Sequence, residues 1–154
     1  MLTRPRAVEN CVFCQIIIGE SPAKFVEKGI HYVAFKPLRP HTPGHVLFVP
    51  RMHVVDAADN PMQTGMVMAR AGAYVRDVVK GPANIITSIG AESTQTVFHL
   101  HLHVVPRGPQ DGIRPSWPWR VRLSEGLGSN DIFPEKGYEE LAAKFIYGDN
   151  ISPL

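Results

Sequence analysis

The chain is short of several things, and each shortage closes off a class of protein. It has two cysteines in 154 residues, too few for the disulfide framework of a small secreted scaffold. No apolar run approaches the ~20 residues needed to cross a bilayer. Arg4 and Arg6 open the chain, but only the short segment 11–18 follows, interrupted by Gln15, and that is not a signal peptide. Neither sign of charge dominates: 16 Lys and Arg stand against 14 Asp and Glu, a net charge of +2. Arg107, Arg114, Arg120 and Arg122 fall within one stretch, which reads as solvated surface rather than a nucleic-acid groove. Internal repeats are missing as well. With 44% hydrophobic and 19% charged residues, the composition is that of one soluble domain. It is expected in the cytoplasm with its thiols reduced, with no membrane and no stable nucleic-acid partner.

Histidine, by contrast, is concentrated. Residues 99–103 read His-Leu-His-Leu-His and run on into Val104, Val105 and Pro106. Alternation with period two predicts a strand over Val97–Val105. His99, His101 and His103 would then share one face at a spacing of roughly 6–7 Å, while Leu100, Leu102 and Val104 fill a core. Three imidazoles on a core strand need partners, because unpaired polar rings there are costly. His31 and His41, near a loop, read as solvated.

The rest of the chain supplies a frame for that strand. Cys11–Ile18 reads as a short helix ended by Gly19, and Lys24–Glu27 and His31–Lys36 as two strands joined at Lys28-Gly29. Three prolines make 37–43 a loop, Gly44–Val49 is a third strand stopped by Pro50, and Asn84–Ile89 a fourth. Pro61–Val79 has helical spacing, with Pro61 at an early position and Met62, Met66 and Met68 read as helix packing. One main helix among strands with short links predicts an α+β domain with an antiparallel sheet. Beyond Pro106 an irregular segment holds Trp117 and Trp119, which fit base stacking or a substrate lid and equally serve as packing anchors. A last helix is expected within 134–147.

Cys11-Val12-Phe13-Cys14 has the spacing with which two thiolates grip one zinc ion. A closed tetrahedral site needs two more ligands, and His53 and His99 are reasonable sources. The same spacing also suits a redox pair or two ordinary buried cysteines.

Taken together these residues resemble the histidine triad (HIT) superfamily, and specifically its Hint-like, zinc-containing bacterial branch. The likeness runs from Cys11 to about Arg107. It includes Cys-x-Phe-Cys-x-Ile-Ile, Gly19-Glu20-Ser21-Pro22, the run from Pro43-Gly44-His45 to Pro50-Arg51-x-His53, and the run from Gln95-Thr96 to Pro106-Arg107. The resemblance implies a HIT-like α+β fold: a five-stranded antiparallel sheet with one main helix per monomer, the sheet being shared across a homodimer. Residues 1–106 would be the HIT domain, with its core starting at about residue 10, and 107–154 a C-terminal extension. The implied activity is hydrolysis of a bond to the α-phosphate of a nucleotide, with a purine nucleotide as the expected substrate.

Site roles follow from the resemblance residue by residue. His101 matches the nucleophile that would form a nucleotidyl-histidine, splitting one hard displacement into two easier ones. His103 matches the residue that hydrogen-bonds a phosphate oxygen, and His45 the histidine that supports the triad from a neighbouring strand. Gln95 and Thr96 match polar residues at the phosphate and bridging oxygen. Cys11, Cys14, His53 and His99 match the four ligands of a structural zinc ion. The chain departs from the pattern at Pro37, where an acidic residue usually contacts the ribose, at Ser88, where Asn is usual, and at Thr94, where Gly is usual. Ser88 keeps a hydroxyl for the substrate. An intact catalytic set with an altered substrate set implies an active enzyme with relaxed selectivity, foremost a phosphoramidase-like nucleotide hydrolase. Two other readings are a dinucleoside polyphosphate hydrolase and a zinc-stabilised nucleotide-binding module with little turnover. A three-histidine metal centre is a rival use of the same strand.

Overall fold

The computed structural model describes residues 8–113; the helix expected within 134–147 and the two tryptophans lie outside them. The chain forms a five-stranded antiparallel sheet in the order β1-β2-β3-β5-β4. The strands are β1 (Lys24–Lys28), β2 (Tyr32–Lys36), β3 (Val46–Pro50), β4 (Ala83–Ile86) and β5 (Leu102–Pro106). Helix α1 (Val12–Ile18) precedes the sheet. Helix α2 (Pro61–Tyr74), extended by one wider turn over Val75–Val79, links β3 to β4. Asn60 caps α2 through its side-chain oxygen, which accepts from the Gln63 N–H at 3.1 Å. The expected α+β architecture is therefore observed. No helix among the described residues is long and apolar enough to cross a membrane.

Both faces of the sheet are covered, and strand alternation decides what each face carries. Ala34, Val46, Phe48, Leu102 and Val104 pack with Val67 and Ala71 of α2. Val33, Phe35, Leu47 and Val49 face the other way, against Phe13 and Ile16 of α1 and the two cysteines. Register then places the histidines: Phe48 pairs with Leu102 and Leu47 with His103, so His103 lies on the α1 face.

Two expectations need correction. The histidine strand was expected over Val97–Val105 but begins only at Leu102. Pairing with β3 stops at Phe48↔Leu102, and the Leu100 N–H instead bonds to the Val54 carbonyl at 2.6 Å. Met62, Met66 and Met68 do not pack into their own core; they are 76%, 39% and 38% exposed.

Candidate active site and metal centre

The N-terminus of α1 places two thiols side by side. Cys11 is the N-cap residue, and its Sγ accepts from the Cys14 N–H at 3.5 Å. His53 follows β3 and His99 precedes β5, and because these neighbouring strands are antiparallel both histidines arrive at the same end of the sheet. His99 Nδ1 lies 3.4 Å from Cys11 Sγ and 3.6 Å from Cys14 Sγ, and His53 Nδ1 lies 3.3 Å from Cys14 Sγ. All four ligand atoms fall within 4.8 Å of one another. Zn–S bonds of about 2.3 Å and Zn–N bonds of about 2.0–2.1 Å make tetrahedral S···N edges of roughly 3.5 Å, so the set fits a zinc ion. The opposite nitrogen of His99 faces the Pro50 carbonyl at 2.9 Å. A carbonyl can only accept, so the neutral ring carries its proton on Nε2 and turns the Nδ1 lone pair to the thiols. Two thiols and two imidazoles form a closed structural set with no open position for water. The three-histidine metal centre is not formed, because His99 belongs to the cysteines and His103 to His45.

Two residues beyond His99 the same reasoning fixes a second ring. His101 Nδ1 lies 2.7 Å from the His99 carbonyl, so its proton sits there and Nε2 keeps a free lone pair. Phe13 packs edge-on against this ring at 5.2 Å between centroids. The Thr87 hydroxyl donates to the His101 carbonyl at 2.9 Å. Sequence reasoning passed over Thr87, because nothing in a Ser/Thr-rich stretch marks which hydroxyl turns inward.

His45 and His103 complete the group. The His41 backbone N–H donates to His45 Nδ1 at 3.1 Å, so neutral His45 is protonated at Nε2. That Nε2–H reaches His103 Nδ1 at 3.0 Å, which leaves His103 with a donor Nε2–H. The His101 and His103 rings are 5.1 Å apart, so a lone pair and an N–H donor stand on neighbouring rings. Burial is the main reason that His45 and His103 are pushed down to about 4, and nearby histidine charges add to it. Burial also lowers His101, against the opposing pull of the His99 carbonyl. The rings are therefore neutral at physiological pH, so each has one nitrogen that donates and one that accepts.

This has a consequence for stability. The ordinary histidine value is 6.5, against about 4 for folded His45 and His103. The unfolded chain then binds protons that the folded chain refuses, so stability rises with pH across that window. Melting temperature is expected to hold above about pH 6.5 and to decline as pH falls toward 4. Thermal melts across this range should show the decline, and a His103→Gln variant should make it shallower, since His45 keeps its own lowered value. A melting temperature rising on acidification would contradict the assignment.

The expected substrate residues fare differently. Gln95 was read as a phosphate donor, yet its amide serves the loop. Its Nε2 donates to the Val55 and Val97 carbonyls at 2.8 and 3.2 Å, and its Oε1 accepts from the Gly90 N–H at 2.8 Å. Both of its N–H donors are thus engaged. Thr96 is exposed and borders a pocket of about 390 Å³ with Cys11, His53 and Phe98. Ser88 is half-buried beside Thr87. Thr94 adopts φ 69° and ψ 20°, a left-handed conformation that costs an ordinary residue roughly 1–2 kcal/mol. That is the physical reason glycine suits this position. Pro37 follows directly on β2, where its side chain offers neither donor nor acceptor.

Comparison with known proteins agrees with this geometry. The HIT domain model matches residues 18–110. An uncharacterised HIT-like protein of Mycobacterium tuberculosis is 37% identical over 107 residues, 66% of this chain and 73% of the relative. An adenylylsulfatase of Arabidopsis thaliana is 29% identical, over 66% of this chain and 54% of that protein. Among solved structures, a HIT family hydrolase from Clostridium thermocellum aligns with a TM-score of 0.60 at 32% identity, over 67% of this chain and 95% of that one. A zinc-bound histidine triad family protein from Mycobacterium smegmatis aligns with a TM-score of 0.60 at 37% identity, over 68% and 80%. That bound metal supports a structural zinc ion at Cys11, Cys14, His53 and His99.

Proposed function

This chain belongs to the HIT family, and from that premise we propose that it hydrolyses a bond to the α-phosphate of a purine nucleotide through a covalent His101 intermediate. The observation that carries the reading is the pair of tautomers described above. A free Nε2 lone pair on His101 stands beside an Nε2–H donor on His103, which suits attack on an atom that bears anionic oxygens. His101 Nε2 bonds to phosphorus, and the P–N or P–O bond to the leaving group breaks with its electron pair. Water then cleaves the nucleotidyl-histidine and regenerates the neutral ring. His103 Nε2–H bonds a phosphate oxygen as charge develops there, and His45 holds His103 in the donating tautomer. With the Gln95 amide engaged, Thr96 and Ser88 are left as the polar side chains available to the substrate.

The adenylylsulfatase relative cleaves a nucleotide derivative by its name, which supports the substrate class. Pro37 removes one means of recognising the ribose, so selectivity between ribo- and deoxyribonucleotides is weak. The test is release of AMP from adenosine 5′-phosphoramidate and of dAMP from its 2′-deoxy analogue. Comparable turnover of both supports the reading. Absence of turnover on either, and on a dinucleoside polyphosphate, would leave a nucleotide-binding module.

The site is carried by a homodimer whose two sheets join. β4 ends the sheet with one neighbour, β5, and an open edge invites pairing. Ile86 on that edge and Val78 before it are 39% and 59% exposed, and Met68 on α2 is 38% exposed, an apolar surface that needs a partner. Light scattering is expected to give twice the 17.1 kDa chain mass; a single-chain mass would refute the dimer.

A further inference from the structure

The loop between β2 and β3 is built more firmly than its composition suggests. Pro40 and Pro43 have fixed φ angles. The buried Thr42 donates its hydroxyl to the Pro106 carbonyl at 2.8 Å, tying the loop to the end of β5. The His45 N–H closes a turn onto the Thr42 carbonyl at 3.1 Å. Gly44, at φ 82°, leaves room for Pro106, whose Cγ would lie 3.3 Å from an added Cβ. His41, expected to be merely solvated, is held in this frame by both its backbone and its ring.

Its backbone N–H is the donor to His45 Nδ1. Its exposed ring lies nearly parallel to that of His45, with centroids 5.4 Å apart and planes at 21°. The second contact does what the first cannot. His45 is bonded in its plane at both nitrogens, and those bonds leave the faces of its buried ring to packing contacts. The stacked His41 ring supplies such a contact on one face. The rings of His41, His45, His103 and His101 thus stand in a row with separations of 5.4, 5.2 and 5.1 Å.

We propose that His41 is a positioning residue for His103: its backbone N–H sets the proton on His45 Nε2, and its ring buttresses one face of His45. The catalytic consequence rests on the nucleotidyl-transfer reading, but the geometry can be tested without it. Long-range ¹H–¹⁵N spectra of the zinc-loaded protein at neutral pH should show His45 and His103 both protonated at Nε2. His41→Ala keeps the backbone N–H and should preserve those tautomers while broadening the His45 ring signals. Its kcat should fall about tenfold with KM nearly unchanged, as expected for a misplaced donor. His41→Phe keeps a flat ring and should restore sharp signals and most of kcat. An Nδ1–H tautomer on His45 overturns the role of the backbone, and sharp His45 signals in His41→Ala overturn the role of the ring. If no variant releases AMP while the spectra behave as expected, the nucleotidyl reading fails and the positioning role stands.

Discussion

Replacing His101 with Ala is expected to abolish AMP release, slowing it by about 10⁴-fold or more, because a covalent route has no substitute for its nucleophile. The variant removes the one ring whose Nε2 is left with a free lone pair by a carbonyl on its other nitrogen. It leaves His45 and His103 bonded to each other, so phosphate binding should persist and KM should change little. Rapid acid or denaturant quenching of the wild type should trap a protein heavier by one nucleotidyl group, and the variant should show none. Full turnover in His101→Ala would end the covalent mechanism. The melting temperature is measured alongside, so that turnover is compared on folded protein. The ring is buried against Phe13, and a drop of several degrees is expected from the cavity alone.

The second large effect lies at the metal centre. Cys14→Ser is expected to lose bound zinc and to lower the melting temperature by about 10–20 °C, since metal affinity is folding free energy. Cys14 sits at the junction of the set, within 3.3 Å of His53 Nδ1 and 3.6 Å of His99 Nδ1. Burial pushes its thiol up, and binding to a cation is what would keep it a thiolate. The substitution acts on structure before chemistry. Below its lowered melting point the variant should retain much of the wild-type kcat, because His101 is oriented by the backbone carbonyl of His99 and not by its ring. Metal analysis with calorimetry checks the first claim and AMP release at low temperature the second. Equal stability with a normal zinc content would remove Cys14 from the ligand set.

Much of this was legible in the sequence, because strand periodicity and short-range spacing are local signals. The alternation around Leu102 and Val104 marked the core face correctly, while the Cys-x-x-Cys spacing left zinc as one of several uses and the family resemblance named the four ligands that the structure brings together. The extent of the histidine strand was not legible. The run His99-Leu100-His101 has the pattern of a strand, but its pairing with β3 ends at Phe48, and the Leu100 N–H turns instead to the Val54 carbonyl, some fifty residues away in sequence. The loop contacts of Gln95 were not legible for a related reason. Its side chain could serve phosphate or backbone, and only the path of the loop from Gly90 to Val97 decides. The role of His41 was hidden because its working group is a backbone N–H, which every non-proline residue possesses.

The sheet order has a consequence for how the molecule comes into being. Its central pairing joins residues 46–48 to 102–104, so the histidine-bearing strand docks only after nearly the whole domain has left the ribosome. Closing so long a loop is slow compared with forming the β1–β2 hairpin. Three of the four metal ligands, Cys11, Cys14 and His53, are in place before His99 is made. A zinc ion held by those three would hand the arriving strand its anchor, and the residue next but one to that anchor is His101, the proposed nucleophile.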